Sequence, residues 1–548
     1  MARINQPNSV QPEGAIAEPG GTGTKGLKRG SVGTLGAVVI GISCCAPAYT
    51  MTAALGPAAQ QMGEQLPAVF LVGFLPMFLV AMGYMALNRA MPDSGTSFTW
   101  ATRAFGPWAG WLTGWGLLAA TILVLANLAG IAVTFLFLAL AQIFQNDAFI
   151  ALGNDRWVNI AVCVGFLAAT TWISYRGMQS TKGFQYVMVA VQIAVLLWYI
   201  IAAIIGANNG SNPESIPISL SWFNPFAVSS FGQFSAGLAV SIFVYWGWDT
   251  VLTMNEETRE DATGSSSGKA ATTLILLLVG LYVTIATVTV SYAGVGNGPT
   301  GLGNEETMDN VFSALAYPLM GPAGIFLSLA VLSSAAASLQ STELSPARTL
   351  LAMGYYRAIP SRFAKVHEKF HSPSTAILFS GVIAALFYAV MRMVSSNVLW
   401  DTITALGLLV CFYYGMTAFA CVWFFRAEAM ASTRAFFMKM LLPGLGGILL
   451  FTVFIKTSIS SMDPEFGSGD QVFGIGLVFV MGAGVLALGV ATMVVMSFFY
   501  RPFFRGETLT KGKPLIHTAK RSGSLTLDRS VSVPSEPPAP EATNSRRR

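Results

Sequence analysis

The chain alternates long apolar runs with short polar loops from about residue 32 to about residue 499. A membrane-spanning helix needs about 20 residues, because about 30 Å of hydrocarbon is crossed at about 1.5 Å per residue. Twelve runs reach that length, at about 32–58, 66–91, 106–143, 157–175, 183–206, 230–254, 270–293, 312–341, 373–392, 399–424, 437–456 and 473–499. The pattern predicts an all-α polytopic membrane protein. Residues 1–30 and 506–548 are poor in apolar side chains and rich in Pro, Ser and Gly, a composition that cannot bury enough surface to order itself. They read as disordered tails around a transmembrane domain at 31–505. The last three residues, Arg546 to Arg548, are either solvated or in touch with anionic lipid.

Two runs are interrupted. The first, GAVVIGISCCAPAYTMTAALG, carries Pro47 in mid-span. Proline lacks an amide hydrogen and clashes with the carbonyl four residues earlier. Backbone polar groups around Ile42, Ser43, Cys44, Cys45 and Ala46 are therefore expected to lose helical partners. In a bilayer such groups need a ligand, water or a neighbouring helix. A simple proline kink is the alternative. The sixth run, SIFVYWGWDTVLTMNEET, places Gly247 and Asp249 at membrane depth. Paired interruptions in the two halves of a polytopic chain point to a substrate site between them.

Lys and Arg are unevenly shared among the loops. With the N-terminus in the cytoplasm, the five inner loops hold fourteen, including the cluster Arg348, Arg357, Arg362, Lys365 and Lys369. The outer loops hold three: Arg156, Arg392 and Lys456. The positive-inside rule then puts both termini in the cytoplasm, on an even number of crossings of the cell membrane.

Composition narrows the function. Only 10% of residues are charged, against roughly 25% in soluble domains. The net charge of +5 suggests no nucleic-acid partner. Cys44, Cys45, Cys163, Cys411 and Cys421 all fall inside apolar runs, and the three histidines lie in loops or the tail, so no metal site or cofactor is expected. The N-terminus does not read as a secretory signal. Neither an ATP-binding motif nor a nucleophile–base pair stands out, which argues against an enzyme. The reading is a secondary carrier driven by an ion gradient (H+ or Na+) or by exchange. A non-transporting sensor or a channel is the rival of a different class.

Several residues are candidates for the chemistry. Ser43, Cys44, Cys45 and Ala46 have short side chains that let a ligand approach the helix 1 backbone. Asp249 can pair with a substrate ammonium, carry a proton, or cap the half-helix after Gly247. Phe243, one turn before Gly247, is the expected gate; Asn127 is a further contact. Gln192, Ser333, Ser334 and Glu343 are candidates for coupling or gating, with an Arg348 salt bridge the cheap explanation of Glu343. Thr121, Asp401 and Thr404 also lie at depth. In GPWAGWLTGWG, Gly106, Gly110 and Gly114 fall four apart, a face suited to close helix packing, with Trp108, Trp111 and Trp115 as interface anchors.

Over roughly residues 28–505 the chain resembles the amino acid–polyamine–organocation permeases. The resembling stretches are the broken helix 1, AMPDSGTSFTWATRAFGPWAGWLTGW, FVYWGWDTVLTMNEETRED, and SPARTLLAMGYYRAIPSRFAKVHEKFHSPSTA. The resemblance implies two inverted five-helix repeats, about 32–206 and 230–424, with two appended helices at about 437–499. It implies that a substrate's carboxylate and amine meet the unwound backbone of helices 1 and 6, and that Phe243 caps the site. The chain departs from the family at two points. Where many members carry Gly-Ser-Gly in helix 1, this chain has Cys45-Ala46-Pro47, as in bacterial putrescine importers. Where several proton-coupled members carry a helix 5 lysine, it has Gln192, which does not titrate. Asp249 or Glu343 then becomes the candidate proton carrier, and Ser333 and Ser334 with helix 1 carbonyls a candidate sodium site. The expected substrate is an amino acid or a related organic amine, with a di- or polyamine as the alternative.

Overall fold

The computed structural model describes residues 25–512 except 28–29, 229, 259, 262–263, 305–306, 308–309, 395–397 and 467–468. The tail segments 1–24 and 513–548, expected to be disordered, lie outside the described residues. Helix 1 is Thr34–Cys45 followed by Pro47–Met62, and helix 2 is Leu66–Ala90. Helices 3, 4 and 5 are Pro107–Phe144, Arg156–Tyr175 and Met178–Asn208. Helix 6 is Phe231–Val244 and, after a turn, Thr250–Thr253; helix 7 is Ser266–Ala293. Helix 8 is Ile325–Thr342 with Leu344–Tyr355, and helices 9 and 10 are Ser374–Val394 and Val398–Ala429. Helices 11 and 12 are Thr433–Ser460 and Leu477–Phe499. Ten stretches among the described residues are long and apolar enough to span a membrane. Twelve crossings are nevertheless present, because Thr34–Ala90 holds two of them and the broken helix 6 is too short to qualify. The protein is an all-α polytopic membrane protein.

The packing has an internal symmetry. Helix 1 packs on helix 7, and helix 6 packs on helix 2. Helix 3 packs on helix 10, and helix 8 on helix 5. Helices 1 and 6, 2 and 7, 3 and 8, and 4 and 9 pack on each other. Exchanging each helix for the one five places later maps these pairs onto themselves. Five crossings are an odd number, so the second set runs opposite to the first. This is the 5+5 inverted arrangement, with helices 11 and 12 beside it.

Both described chain ends meet on one face. Lys25 bonds to Asp93 in the loop after helix 2, and the Gly512 amide donates to the Arg103 carbonyl nearby. Residues 25–27 and 506–512 are thus packed parts of the body, although their composition groups them with the tails. Leu27 and Leu509 are buried there.

The GPWAGWLTGWG stretch opens helix 3. Gly106 turns the chain at φ +110°, a conformation that favours glycine, and Pro107 takes the first helical position, where its missing amide costs nothing. Gly110 lies against the backbone of Thr102 on the short helix Thr96–Phe105, and Gly114 against Phe98. Gly110 and Gly114 form a packing face, as their spacing predicts, whereas Gly106 has open space around it and serves the turn instead. The tryptophans differ from expectation. Trp108 is exposed, but Trp111 is buried and donates to the Ala358 carbonyl, and Trp115 donates to that of Val485. Ordinary indole satisfaction inside the fold explains these two.

A Cβ at Gly110 would sit 2.6 Å from Thr102 backbone atoms. Gly110→Ala is expected to destabilise the detergent-solubilised protein by about 1–3 kcal/mol. Gly165→Ala, with open space around it, is expected to leave thermal stability unchanged. Equal melting of the two variants in a thermal-shift assay would contradict the assigned packing.

Candidate functional site

Helix 1 breaks at a single residue. Ala46 adopts φ 48°, ψ 62°, the left-handed region, and Pro47 begins the second half-helix. The break is more fully satisfied than the sequence suggests. The Ala46 amide donates to the carbonyls of Ile42 and Ser43, and the Ala46 carbonyl accepts from the Thr50 amide. The Cys44 carbonyl accepts from Ser338 Oγ at 2.9 Å, and that of Cys45 from Thr50 Oγ1 at 2.6 Å and Tyr282 at 3.4 Å. The expectation that residues 42–46 leave these groups unpaired is therefore corrected. One left-handed residue absorbs the proline break, and hydroxyls of neighbouring helices take up the freed carbonyls.

Helix 6 breaks beside it. Gly247 has φ +102°, and a side chain there would press on Cys44 at 3.2–3.3 Å. Cys44 Sγ lies 3.1 Å from Thr250 Oγ1 and 3.4 Å from Thr342 Oγ1. The two interruptions thus touch. Above them is a small cavity of about 10 Å³, room for about one water, lined by Cys44, Cys45, Tyr49, Thr50, Val124, Leu128, Phe243, Trp246 and Ser338. Phe243 is buried and meets the Tyr49 ring edge-on, with centroids 6.3 Å apart.

The other predicted residues fall into two groups. Asn127 accepts from the Tyr49 hydroxyl and so backs the cavity wall. Ser43 Oγ accepts from Ser341, and Ser334 Oγ accepts from the Tyr49 amide at 3.4 Å. Ser333 instead donates back to the Ala330 carbonyl of its own helix and is not among the residues lining the cavity. Thr121 likewise bonds within helix 3, and Asp401 is buried near the start of helix 10. Gln192 is fully buried, neither of its amide atoms has a partner among the described residues, and it does not line the cavity.

The two acids at depth take up different surroundings. Asp249 makes no capping bond to its half-helix. Its Oδ1 accepts from Tyr414 at 2.8 Å and its Oδ2 from Tyr413 at 3.4 Å, both on helix 10. Tyr413 in turn accepts from Trp246 Nε1 at 2.8 Å, so a hydrogen-bond chain joins the cavity wall to Asp249. Glu343 does not pair with Arg348, which instead grips Glu257 through Nε at 2.6 Å. Arg348 lies on the helix 8 exit and reaches the loop after helix 6, whereas Glu343 Oε1 accepts from Thr171 of helix 4 at 2.9 Å.

Sequence reasoning missed Ser338, Ser341 and Thr342, which carry most of the contact between helix 8 and the helix 1 break. With Ser334 they fall at spacings of four, seven and eight, one helical face. In the small-residue run VLSSAAASLQST that periodicity reads as packing rather than as a supply of hydroxyls. On the face where the described chain ends meet, the segment before helix 1 is strapped to the loops after helices 2 and 6. Lys25 Nζ reaches Asp93 Oδ2 at 2.7 Å and Glu256 Oε1 at 2.5 Å, and Tyr356 donates to Asp93 at 2.6 Å. Burial works against the charges, but the opposed partners outweigh it. The Asp93 carboxyl is held below its ordinary value and the Lys25 ammonium above its own.

The sequence profile of the family described as "Amino acid permease" matches residues 32–500. The chain belongs to that family. Among similar proteins, the branched-chain amino acid permease BcaP of Lactococcus lactis is 23% identical over 61% of this chain and 70% of its own length. BcaP of Bacillus subtilis is 25% identical over 67% of this chain and 75% of its own length. The low-affinity putrescine importer PlaP of Escherichia coli is 20% identical over 72% of this chain and 82% of its own length. The permease is a membrane transporter of amino acids or amines.

The strap makes a testable point. The Asp93 contribution is present above the unfolded carboxyl's value of about 4 and fades as pH falls through the lower folded one. The Lys25 contribution is present below about 10.4 and fades as pH rises through the higher folded value. Between those limits the strap holds. Lys25→Met is expected to speed maleimide labelling of Cys44 several-fold, in a permease whose other four cysteines are alanine. An unchanged labelling rate would show that the strap does not close the terminal face.

Proposed function

We propose that the permease is a secondary carrier of the cell membrane that moves a neutral, apolar amino acid or a related organic amine by alternating access. The observation that carries this reading is the pair of helix breaks meeting at one cavity. That cavity is far smaller than an amino acid, so loading requires helices 1 and 6 to separate from helices 3 and 8. The N-terminal end of Pro47–Met62 offers a positive dipole to a carboxylate, and the Tyr49 amide, now on Ser334 at 3.4 Å, could turn to it. The carbonyl end of Phe231–Val244 suits an amine, and Phe243 closes over the solute. Val124, Leu128, Phe243 and Trp246 give the site apolar walls, and no acid lines it. Enclosing a diamine there would leave its charges without a carboxylate, which favours the amino acid; the similarity to BcaP agrees. The similarity to PlaP keeps the diamine as the alternative.

The driving force in this reading is an H+ or Na+ gradient, or exchange. Asp249 gates through the chain Tyr413–Trp246, shifting the cavity wall when its own contacts change. The loop bias of fourteen Lys and Arg against three supports cytoplasmic termini, with the strap on the cytoplasmic side.

Proteoliposomes loaded with the purified permease are expected to accumulate labelled leucine. Valine and isoleucine should compete, and putrescine should not. Competition by putrescine alone would move the assignment to the diamine, and no uptake of leucine or putrescine under any ion gradient would remove the carrier reading. Asp249→Asn is expected to cut the uptake rate about tenfold, on the order of 1.4 kcal/mol, with expression unchanged. Ser333→Ala should leave uptake as it is. Wild-type uptake by Asp249→Asn would take Asp249 out of the mechanism.

A further inference from the structure

A second polar site lies away from the cavity, where helices 4, 5 and 8 meet. Thr171 and Ser174 come from helix 4, Thr181 and Gln185 from helix 5, and Gln340 and Glu343 from helix 8, and all six are buried. Gln185 Nε2 donates to the Ala337 carbonyl at 2.8 Å and to Gln340 Oε1 at 2.6 Å. Gln340 Nε2 donates to Thr181 Oγ1 at 2.7 Å and to Ser174 Oγ at 3.3 Å. These bonds stitch helix 5 to helix 8. Glu343 ends the seam. It is 1% exposed, one oxygen accepts from Thr171, and Oε2 has no partner.

Among the described residues, no cation reaches this carboxyl. The neighbouring ionisable groups are all engaged or directed elsewhere. On helix 8, Arg348 is held by Glu257. On helix 5, Lys182 donates to the Ser31 carbonyl, and Tyr186 is exposed. On helix 4, Tyr175 stacks on Trp172, Arg176 is exposed, and Cys163 is buried. On helix 9, Tyr388 is bonded to Asn159. On helix 1, Cys44 touches Thr250 and Thr342, and Tyr49 is bonded to Asn127. Helix 3, which also packs on helix 8, has no ionisable side chain along Pro107–Phe144.

A dry carboxylate with one neutral donor and no counter-ion is strongly disfavoured, whereas a neutral carboxyl is not. We propose that Glu343, with the seam around it, is a proton-binding site that ties proton release to the parting of helix 5 from helix 8. The proposal rests on the carrier reading above and names its coupling ion. While the seam is closed, Glu343 keeps its proton. When the seam opens to water, the charged form becomes solvated and the proton leaves. Opening and deprotonation are therefore linked, each favouring the other. The link to the solute runs along helix 8: Thr342 precedes Glu343 and touches Cys44 in the helix 1 break, and Ser338 and Ser341 of the same face bond to Cys44 and Ser43.

The test uses the full-length permease in proteoliposomes with trapped pyranine and labelled leucine, or labelled putrescine if the competition selects it. Wild type is expected to acidify the lumen as solute enters and to be stimulated several-fold by an inward proton gradient. Glu343→Gln is expected to keep solute exchange within about twofold and to lose both the acidification and the gradient stimulation. A Gln variant that still moves protons with solute overturns the proposal, as does a folded one that has lost exchange. A wild type that exchanges solute without moving protons also overturns it. Should neither solute move in wild type, the carrier reading fails instead, and a second measurement still decides this one. In detergent, the Glu343→Gln protein should gain thermal stability relative to wild type as pH rises from 5 to 9, since only wild type must hold a buried proton. A constant difference across that range overturns the proton site.

Discussion

The structure depends on one backbone constraint: two helices interrupted at mid-membrane must satisfy each other. A left-handed Ala46 is costly for a residue with a side chain, on the order of 1–3 kcal/mol. It persists because Pro47 forbids a continuous helix and because Gly247, without a side chain, lets the helix 6 turn lie against Cys44. The Ser338 hydroxyl of helix 8 then takes the Cys44 carbonyl, and the hydroxyls of Thr50 and Tyr282 take that of Cys45. In the proposed carrier, such side-chain partners are ones a solute could replace without unfolding either half-helix.

The charges are sorted by depth. On the terminal face, Lys25 bridges two carboxylates, Asp93 and Glu256, and Arg348 is matched to Glu257. Deeper in the bundle, Asp249 is met by two tyrosines and Glu343 by one threonine, with no positive partner. Paired ions favour a fixed geometry, since breaking one pair strands its partner. Acids with neutral partners are free to change protonation or water content. The paired ions and the acids with neutral partners therefore occupy different places.

Much of this was legible in the chain. Apolar run length gave the crossings, loop charge implied an even number, and Pro47 with Gly247 located the breaks. The cavity lining included Cys44, Cys45 and Phe243, as expected. What stayed hidden depended on distant partners. Arg348 lies five residues from Glu343 but bonds across the fold to Glu257, because the helix 8 exit points toward the loop after helix 6. Asp249 sits where a cap would be, yet turns to helix 10, whose Tyr413 and Tyr414 carry no local mark of that role. Ser333 and Ser334 are adjacent in sequence but lie about 100° apart around the helix, so only one can face the break. The residues that were misassigned are those whose role is set by a neighbour dozens of positions away.

Helix 3 has a further consequence. Its 38 residues, from Pro107 to Phe144, pack on helices 8 and 10 and contain no side chain that ionises. It carries no side-chain charge across the membrane. Any gating current from side chains must come from other helices, and a simple translation of helix 3 moves no net charge, so the membrane potential could act on this strut only through its backbone dipole, by tilting it.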